Sequence, residues 1–338
     1  MTCANIIKTV AGAVLALAFM AGAGLPAAAE TDKVRIAEQF GLLYLPQNVV
    51  HERKLIQKHV VAAGLPEPKV ELLTISGGAN INKALLSGNL DFAAAGIGPL
   101  LKLWGKSDGR FKAAISMSDM PLKLLTNDPA VKKIEDYLTV KDHKIAMPAA
   151  GVSIQAQVLQ MASDKLWGEP HKLDQLVVSM KHPTALAAML SGGQAVKSHF
   201  ATLPYSFEEL QSGKVHLVLS SYDLLGSSHT TVAMITGREF KEKNPKTYKA
   251  IVDAYAEAYD WIYENEAEAV KIFIKATKSQ LDPKSINAMV GNKKEIEYSA
   301  VPKHTKEFAD FLHKMGDIPA AKSWKDYFWE NMHAKAGS

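Results

Sequence analysis

The chain has 338 residues, 47% of them hydrophobic and 22% charged, with a formal net charge of +4 and a single cysteine. That length accommodates two domains, and the composition is that of an ordinary globular protein. Removing the first 29 residues with Lys8 leaves +3, and the lysines are interleaved with acids, as at Lys132-Lys133 before Glu135, so nothing argues for nucleic acid.

Lys8 precedes an apolar run from Val10 to Ala23, too short to cross a bilayer comfortably. Gly24, Leu25 and Pro26 end the run, and Ala27-Ala28-Ala29 has the small-x-small pattern of a cleavage site. A secretory signal peptide cleaved after Ala29 is expected, with the mature chain starting at Glu30. Cys3 leaves with it, so the mature chain has no thiol for a disulfide, a nucleophile or a metal site. No later run reaches transmembrane length.

In chain order, apolar content predicts a strand at 34–40. A loop with Leu42, Leu43 and Tyr44 follows, whose side chains either line a pocket or pack beneath it. Pro46 opens a helix with Val49, Val50, Arg53, Ile56 and Val60 on one face, stopping at Gly64. From 70 to 101 the pattern is strand, Ser76-Gly77-Gly78, helix to Gly88, strand, Gly96-Ile97-Gly98 and helix, a parallel crossover unit. Each glycine turn meets a helix N-terminus, where unpaired N–H groups and the positive dipole end can dock a small polar or anionic ligand. Tight turns alone are the commoner use of such glycines, and no full phosphate-loop fingerprint is present.

Strands are expected at 113–117 and 122–125, a short helix at 131–138 and a strand at 144–147. A third glycine turn, Gly151-Val152-Ser153, leads into a helix that stops at Gly168, with the Ser153 hydroxyl placed to cap the helix or to bond a ligand. Strands at 176–180, 195–200, 215–220 and 230–236 alternate with helices at 182–190 and 205–210. Helices then take over: Asn244-Pro245 and Asp282-Pro283 are clear starts, and 267–275, 305–314 and 324–329 read as further helical segments. The stripe Tyr248, Ile251, Tyr255, Ala258, Tyr259, Ile262 reads as core. The class is α/β, with two sheets of about five strands, and the chain is expected to cross between them near 117–124 and 229–235, giving a hinge and a cleft.

An enzyme is not indicated. His182, His199 and His229 lack metal-ligand spacing, and Gly-x-Ser-x-Gly is absent. Neither cofactor nor metal is expected.

The order of these features carries a resemblance: the Gly-Leu-Leu-Tyr loop, Ser76-Gly77-Gly78, Leu85…Gly88-x-Leu90-Asp91-Phe92, Gly96, and the late helix with Ala254-Tyr255, Trp261-Ile262 and Glu268-Ala269. In this layout the sequence resembles periplasmic solute-binding proteins of ABC importers of the nitrate/sulfonate/taurine type. The resemblance implies a two-lobed periplasmic-binding-protein fold of type II with a hinge and an interlobe cleft. Residues 30–120 and 232–338 would form lobe I, and 121–231 lobe II. It places Leu43, Tyr44, Ser76, Gly77, Gly96, Ile97, Ser116, Gly151, Val152, Ser153, Ile154 and, in the loop after Phe200, Thr202 at the cleft. Ser76 and the Gly151–Ser153 turn would supply donors from opposite lobes, with Tyr44 as an apolar wall.

The implied function is capture of a sulfonate, taurine, nitrate or carboxylate-like anion in the periplasm. Delivery would be to the transmembrane subunits of an ABC permease, by a monomer. The chain departs from the family pattern at 193–200, Gly-Gln-Ala-Val-Lys-Ser-His-Phe, where His199 is either an anion contact or a structural histidine. Arginine is confined to Arg35, Arg53, Arg110 and Arg238. Either helix N-termini and hydroxyls hold an anion, or the ligand is neutral, aromatic or heterocyclic, such as a pyrimidine vitamin precursor. A related branch of the fold makes such a precursor, but carries a cysteine-rich segment missing here.

Overall fold

The computed structural model describes residues 29–192 and 196–338. The expected signal peptide, apart from Ala29, lies outside the described residues, as do Gly193, Gln194 and Ala195 at the departure from the family pattern.

The strands, in chain order, are β1 (Lys33–Glu38), β2 (Lys69–Thr74), β3 (Phe92–Gly96), β4 (Phe111–Asp119), β5 (Lys123–Thr126), β6 (Ile145–Met147), β7 (Val177–Ser179), β8 (Ser198–Ala201), β9 (His216–Ser220) and β10 (Thr230–Gly237). They form two five-stranded sheets of order β2-β1-β3-β10-β4 and β7-β6-β8-β5-β9. In the first sheet β10 runs antiparallel to both neighbours; in the second β5 does. Each of these reversed strands is the first to follow a crossover from the other sheet. The remaining pairs β1–β2, β1–β3, β6–β7 and β6–β8 are parallel. Ala93, Ala94 and Ala95 of β3 are fully buried, as expected of a central strand covered on both faces.

The two crossovers, after β4 and before β10, are tied to each other. Leu122 N donates to Ser221 Oγ and Ser221 N to the Leu122 carbonyl, both at 2.9 Å. Thr231 Oγ1 accepts from Met120 N (3.2 Å) and donates to its carbonyl (2.8 Å). His229 continues the tie, its Nε2 2.9 Å from Ser221 Oγ. Two short paired segments leave a hinge with few degrees of freedom.

The expected helix from 46 to 64 is two helices, Leu45–Glu52 and Leu55–Ala62, because Lys54 adopts a left-handed conformation (φ 51°). Arg53 at the break lays its guanidinium 4.2 Å over the Trp261 ring. The segment at 324–329 is not a continuous helix. Two 3-10 turns, Trp324–Asp326 and Glu330–Met332, flank a stretch that bonds to the edge of β4. Ala113 N donates to the Tyr327 carbonyl, and Trp329 N to the Ala113 carbonyl, both at 2.9 Å. The edge strand's unpaired backbone groups outweigh helical periodicity here. The aromatic stripe lies on helix Pro245–Glu264 and is buried throughout, as core.

Candidate functional site

The carboxyl ends of β1, β2 and β3 and the turn after β6 converge between the sheets. They enclose a cavity of about 30 Å³, room for one or two waters. Gln39 and Phe40 follow β1 directly. Leu43 and Tyr44 sit in a 3-10 turn, Leu42–Tyr44, that is buried and also lines the cavity, so both roles considered for this loop are met. Ser76, Gly78, Gly96 and Pro99 come from the same half; Pro148, Ser153, Ile154, Gln155 and His182 face them from the other, and Thr231 and Val232 close the hinge side.

The halves touch. A Cβ added at Gly77 would lie 2.9 Å from the Pro148 carbonyl oxygen, one at Gly96 3.2 Å from Ile154 Cγ2, and one at Gly98 2.4 Å from the Gln157 amide. These glycines therefore do more than turn the chain, since they let one half approach the other. At Gly77 the backbone also needs the left-handed region (φ 85°). Lys102 Nζ donates to the Gly151 carbonyl (2.8 Å), and Lys314 pairs with Asp164 (2.6 Å), latching the rim.

Of the residues expected at the cleft, Leu43, Tyr44, Ser76, Gly96, Ser153 and Ile154 line the cavity. Gly77 abuts the opposite half, but its amide is taken by Gln39 Oε1 at 2.8 Å. Ser153 caps its helix, accepting from Ala156 N. Gly151 is exposed and Val152 half-buried at the rim. Ile97, Ser116, His199 and Thr202 are fully buried and not among the residues lining the cavity. Ser116 Oγ lies 3.3 Å from Thr230 Oγ1 and its carbonyl accepts from Tyr259. Sequence reasoning missed Gln39, Gln155 and His182. Gln39 is next to last in the first expected strand and His182 opens a helix just after another, so the carboxyl-end rule applied to every strand would have found both.

His182 connects the cavity to a buried polar chain. Its Nε2 is 3.4 Å from Gln155 Nε2, its Nδ1 is 2.7 Å from His199 Nε2, and His199 Nδ1 is 2.6 Å from Glu209 Oε1. Burial pushes the His199 imidazole down to about 3, lowers His182 well below its ordinary value and raises the Glu209 carboxyl to about 8. Tyr205 stacks on His182, ring centroids 5.5 Å apart. Among the described residues no group of three or more His, Cys, Asp or Glu could hold a metal ion.

A larger cavity of about 440 Å³ adjoins the first and shares Gln39, Phe40 and Tyr44 with it. Gln39 Nε2 donates to the Tyr44 hydroxyl (3.0 Å) on the shared wall. Glu38 and Asn48 lie on one side of this cavity, Tyr205 and Glu208 on the other, and the end of helix Glu266–Thr277 closes it. Burial raises Glu38 to about 7 and also raises Glu208.

Residues 27–275 match the NMT1-like family. No curated protein matches the chain. Several solved structures share its fold. The alkanesulfonate-binding protein SsuA from Xanthomonas axonopodis pv. citri, bound to MOPS, is 15% identical, with TM-score 0.69 over 89% of this chain and 99% of that one. The nitrate-binding protein NrtA from Synechocystis PCC 6803 is 18% identical, with TM-score 0.70 over 90% and 88%. The aliphatic sulphonate-binding protein SsuA from Escherichia coli is 17% identical, with TM-score 0.64 over 89% and 93%. At these identities the likeness establishes the fold, a two-lobed periplasmic-binding-protein architecture with a hinge and a cleft. With the match covering well over half of its length, the chain belongs to the NMT1-like family.

Proposed function

We propose that this protein captures a small solute between its lobes and delivers it to the transmembrane subunits of an ABC importer. In this reading it acts as a monomer, exported to the periplasm and cleaved after Ala29. Lobe I comprises 30–120 and 232–338, and lobe II comprises 121–231. The observation that carries the reading is a cavity at strand carboxyl ends, enclosed by two lobes joined through short paired crossovers. A cavity of about 30 Å³ admits no organic solute, so uptake requires hinge opening and recloses the glycine contacts. The structurally similar SsuA and NrtA proteins are binding proteins, which supports a binder rather than an enzyme.

An anion was the first expectation for the ligand. The lining argues for the alternative, a neutral or aromatic/heterocyclic solute. Among the described residues no lysine or arginine lines the small cavity, Gln39 already occupies the Gly77 amide, and the cavity beside it is lined by two carboxyl groups against one lysine, Lys278. The test is native mass spectrometry of the chain from Glu30, followed by thermal shift with sulfonates, nitrate, carboxylates and aminoheterocycles. A co-purified molecule or a saturable shift is expected. If no compound of any class binds and none co-purifies, solute capture is wrong.

A further inference from the structure

Helix Ile154–Trp167 of the second half turns one face toward the first. Along it Ile154 meets Gly96, Gln157 meets Gly98, and Asp164 pairs with Lys314 at the rim. The apolar contact and the ion pair suit their surroundings; Gln157 does not. Its side chain is 0% exposed, and among the described residues neither its amide nitrogen nor its amide oxygen has a hydrogen-bond partner. The amide lies directly against Gly98, where an added Cβ would overlap its nitrogen, oxygen and carbon. Gln157 lines neither the small cavity nor the larger one beside it. An unpaired amide buried at this seam is costly, and opening the hinge would return both of its polar groups to water.

We propose that Gln157 is a closure-setting residue: its amide biases the solute-free protein toward the open form and so weakens solute affinity without touching the solute. The inference rests on the solute-capture reading and adds a residue that tunes it from outside the cavity. The polar contacts around Gln157 do not favour closure to the same degree. Lys102 Nζ, which reaches the Gly151 carbonyl, also pairs with Asp317 at 2.9 Å on its own side of the seam, so it keeps a partner when the hinge opens. Lys314 is 62% exposed, and water replaces its pairing with Asp164 at little cost. Opening therefore relieves Gln157 and strands no charge. Closure is driven by the contacts that a solute makes only in the closed form, the differential binding that moves a two-state equilibrium.

The test needs no ligand. The chain from Glu30 is dialysed free of solute, checked by native mass spectrometry, and its radius of gyration read by small-angle scattering at pH 8. Gln157→Met keeps an unbranched side chain of similar length and removes both orphaned groups, so its radius should be smaller than that of the wild type. Gln157→Leu should shift it in the same direction, and stands in if the methionine variant does not fold. Gln157→Glu keeps the shape but places a carboxylate that closure would strip of water, so its radius should be larger. Melting curves of the three variants serve as the folding control. Apolar variants no more compact than the wild type, a glutamate variant no more expanded, or a solute-free wild type whose scattering already fits the closed arrangement alone overturns the assignment. Each of those results leaves solute capture standing, because that reading falls only if no compound binds and none co-purifies.

Discussion

His182 Nδ1 and His199 Nε2 stand 2.7 Å apart, with neither ring open to bulk water. One direction of donation pairs all four imidazole nitrogens: Gln155 to His182 Nε2, His182 Nδ1–H to His199, and His199 Nδ1–H to Glu209 Oε1. Burial holds Glu209 neutral near pH 7, and its own proton then sits on Oε2, which has no partner. The chain joins a cavity-lining side chain to the second lobe's interior, so damage at Glu209 should be felt at His182.

Replacing Glu209 by leucine leaves the buried His199 N–H unpaired. We expect a loss of about 1–3 kcal/mol in urea unfolding. Glu209→Gln keeps an acceptor for His199 and resembles the neutral acid, so its cost at pH 6 should be well under half of that. Equal losses in the two variants would show that packing, not the hydrogen bond, is what Glu209 contributes.

The pH profile of stability follows from the same groups. Glu209, Glu38 and Asp119 have folded pKa values raised to about 8, 7 and 6, so the folded state holds protons that the unfolded chain has lost above about 4.5. Their contribution is present at low pH and lost as pH rises through those values. His182, His199 and His229 are lowered, the last two to about 3 and 4, so their contribution is present above about 6.5 and lost as pH falls. The two sets offset each other between about pH 4.5 and 6.5, where a melting-temperature maximum is expected, with a decline on either side. Glu209→Gln should flatten the decline from pH 6.5 to 8. A wild-type midpoint still rising at pH 8 would contradict the assignment.

Closure can be tested at Gly77. Alanine there is strained by the left-handed backbone, and its Cβ meets a backbone carbonyl that cannot swing away. Gly77→Ala should hold the lobes apart and increase the radius of gyration in small-angle scattering. Gly151→Ala, strained in the same way (φ 71°) but with nothing within 4 Å of the added Cβ, should leave it nearly unchanged. A Gly77→Ala chain as compact as the wild type would show that this contact does not limit closure.

The architecture was legible because strand and helix signals are local. The helix expected at 182–190 matches His182–Leu190, and Ser153 caps the helix it was expected to open. Of the cleft residues that the family resemblance implies, six lie on the cavity wall. What was not legible depends on pairing across the chain. His182, His199 and Glu209 carry no diagnostic spacing, and only the register of β8 beside β6 and the docking of two helices bring them together. Ser116 was misjudged for a related reason. It follows an apolar run in a strand, but β10 and helix Pro245–Glu264 cover it, and its polar groups are satisfied there.

The hinge supplies the last prediction. Asp119, at the end of β4, is 1% exposed; Thr230 Oγ1 donates to it at 2.9 Å, and Lys303 Nζ lies 3.2 Å away. Burial raises this carboxyl to about 6, with Lys303 pulling against that rise. Lys303→Ala would remove the opposing charge and push the carboxyl higher still. At pH 8 the variant must either bury an uncompensated carboxylate beside the crossover or take up a proton, at a cost of about 1–3 kcal/mol. At pH 5 Asp119 is already protonated in the folded chain, so most of that cost should vanish. Lys303 also pairs with the more exposed Glu297 at 2.6 Å, a contact that contributes little on its own. Urea unfolding of Lys303→Ala at both pH values decides the matter. A loss of the same size at pH 5 would mean that Lys303 supports the hinge through packing, not through the charge of Asp119.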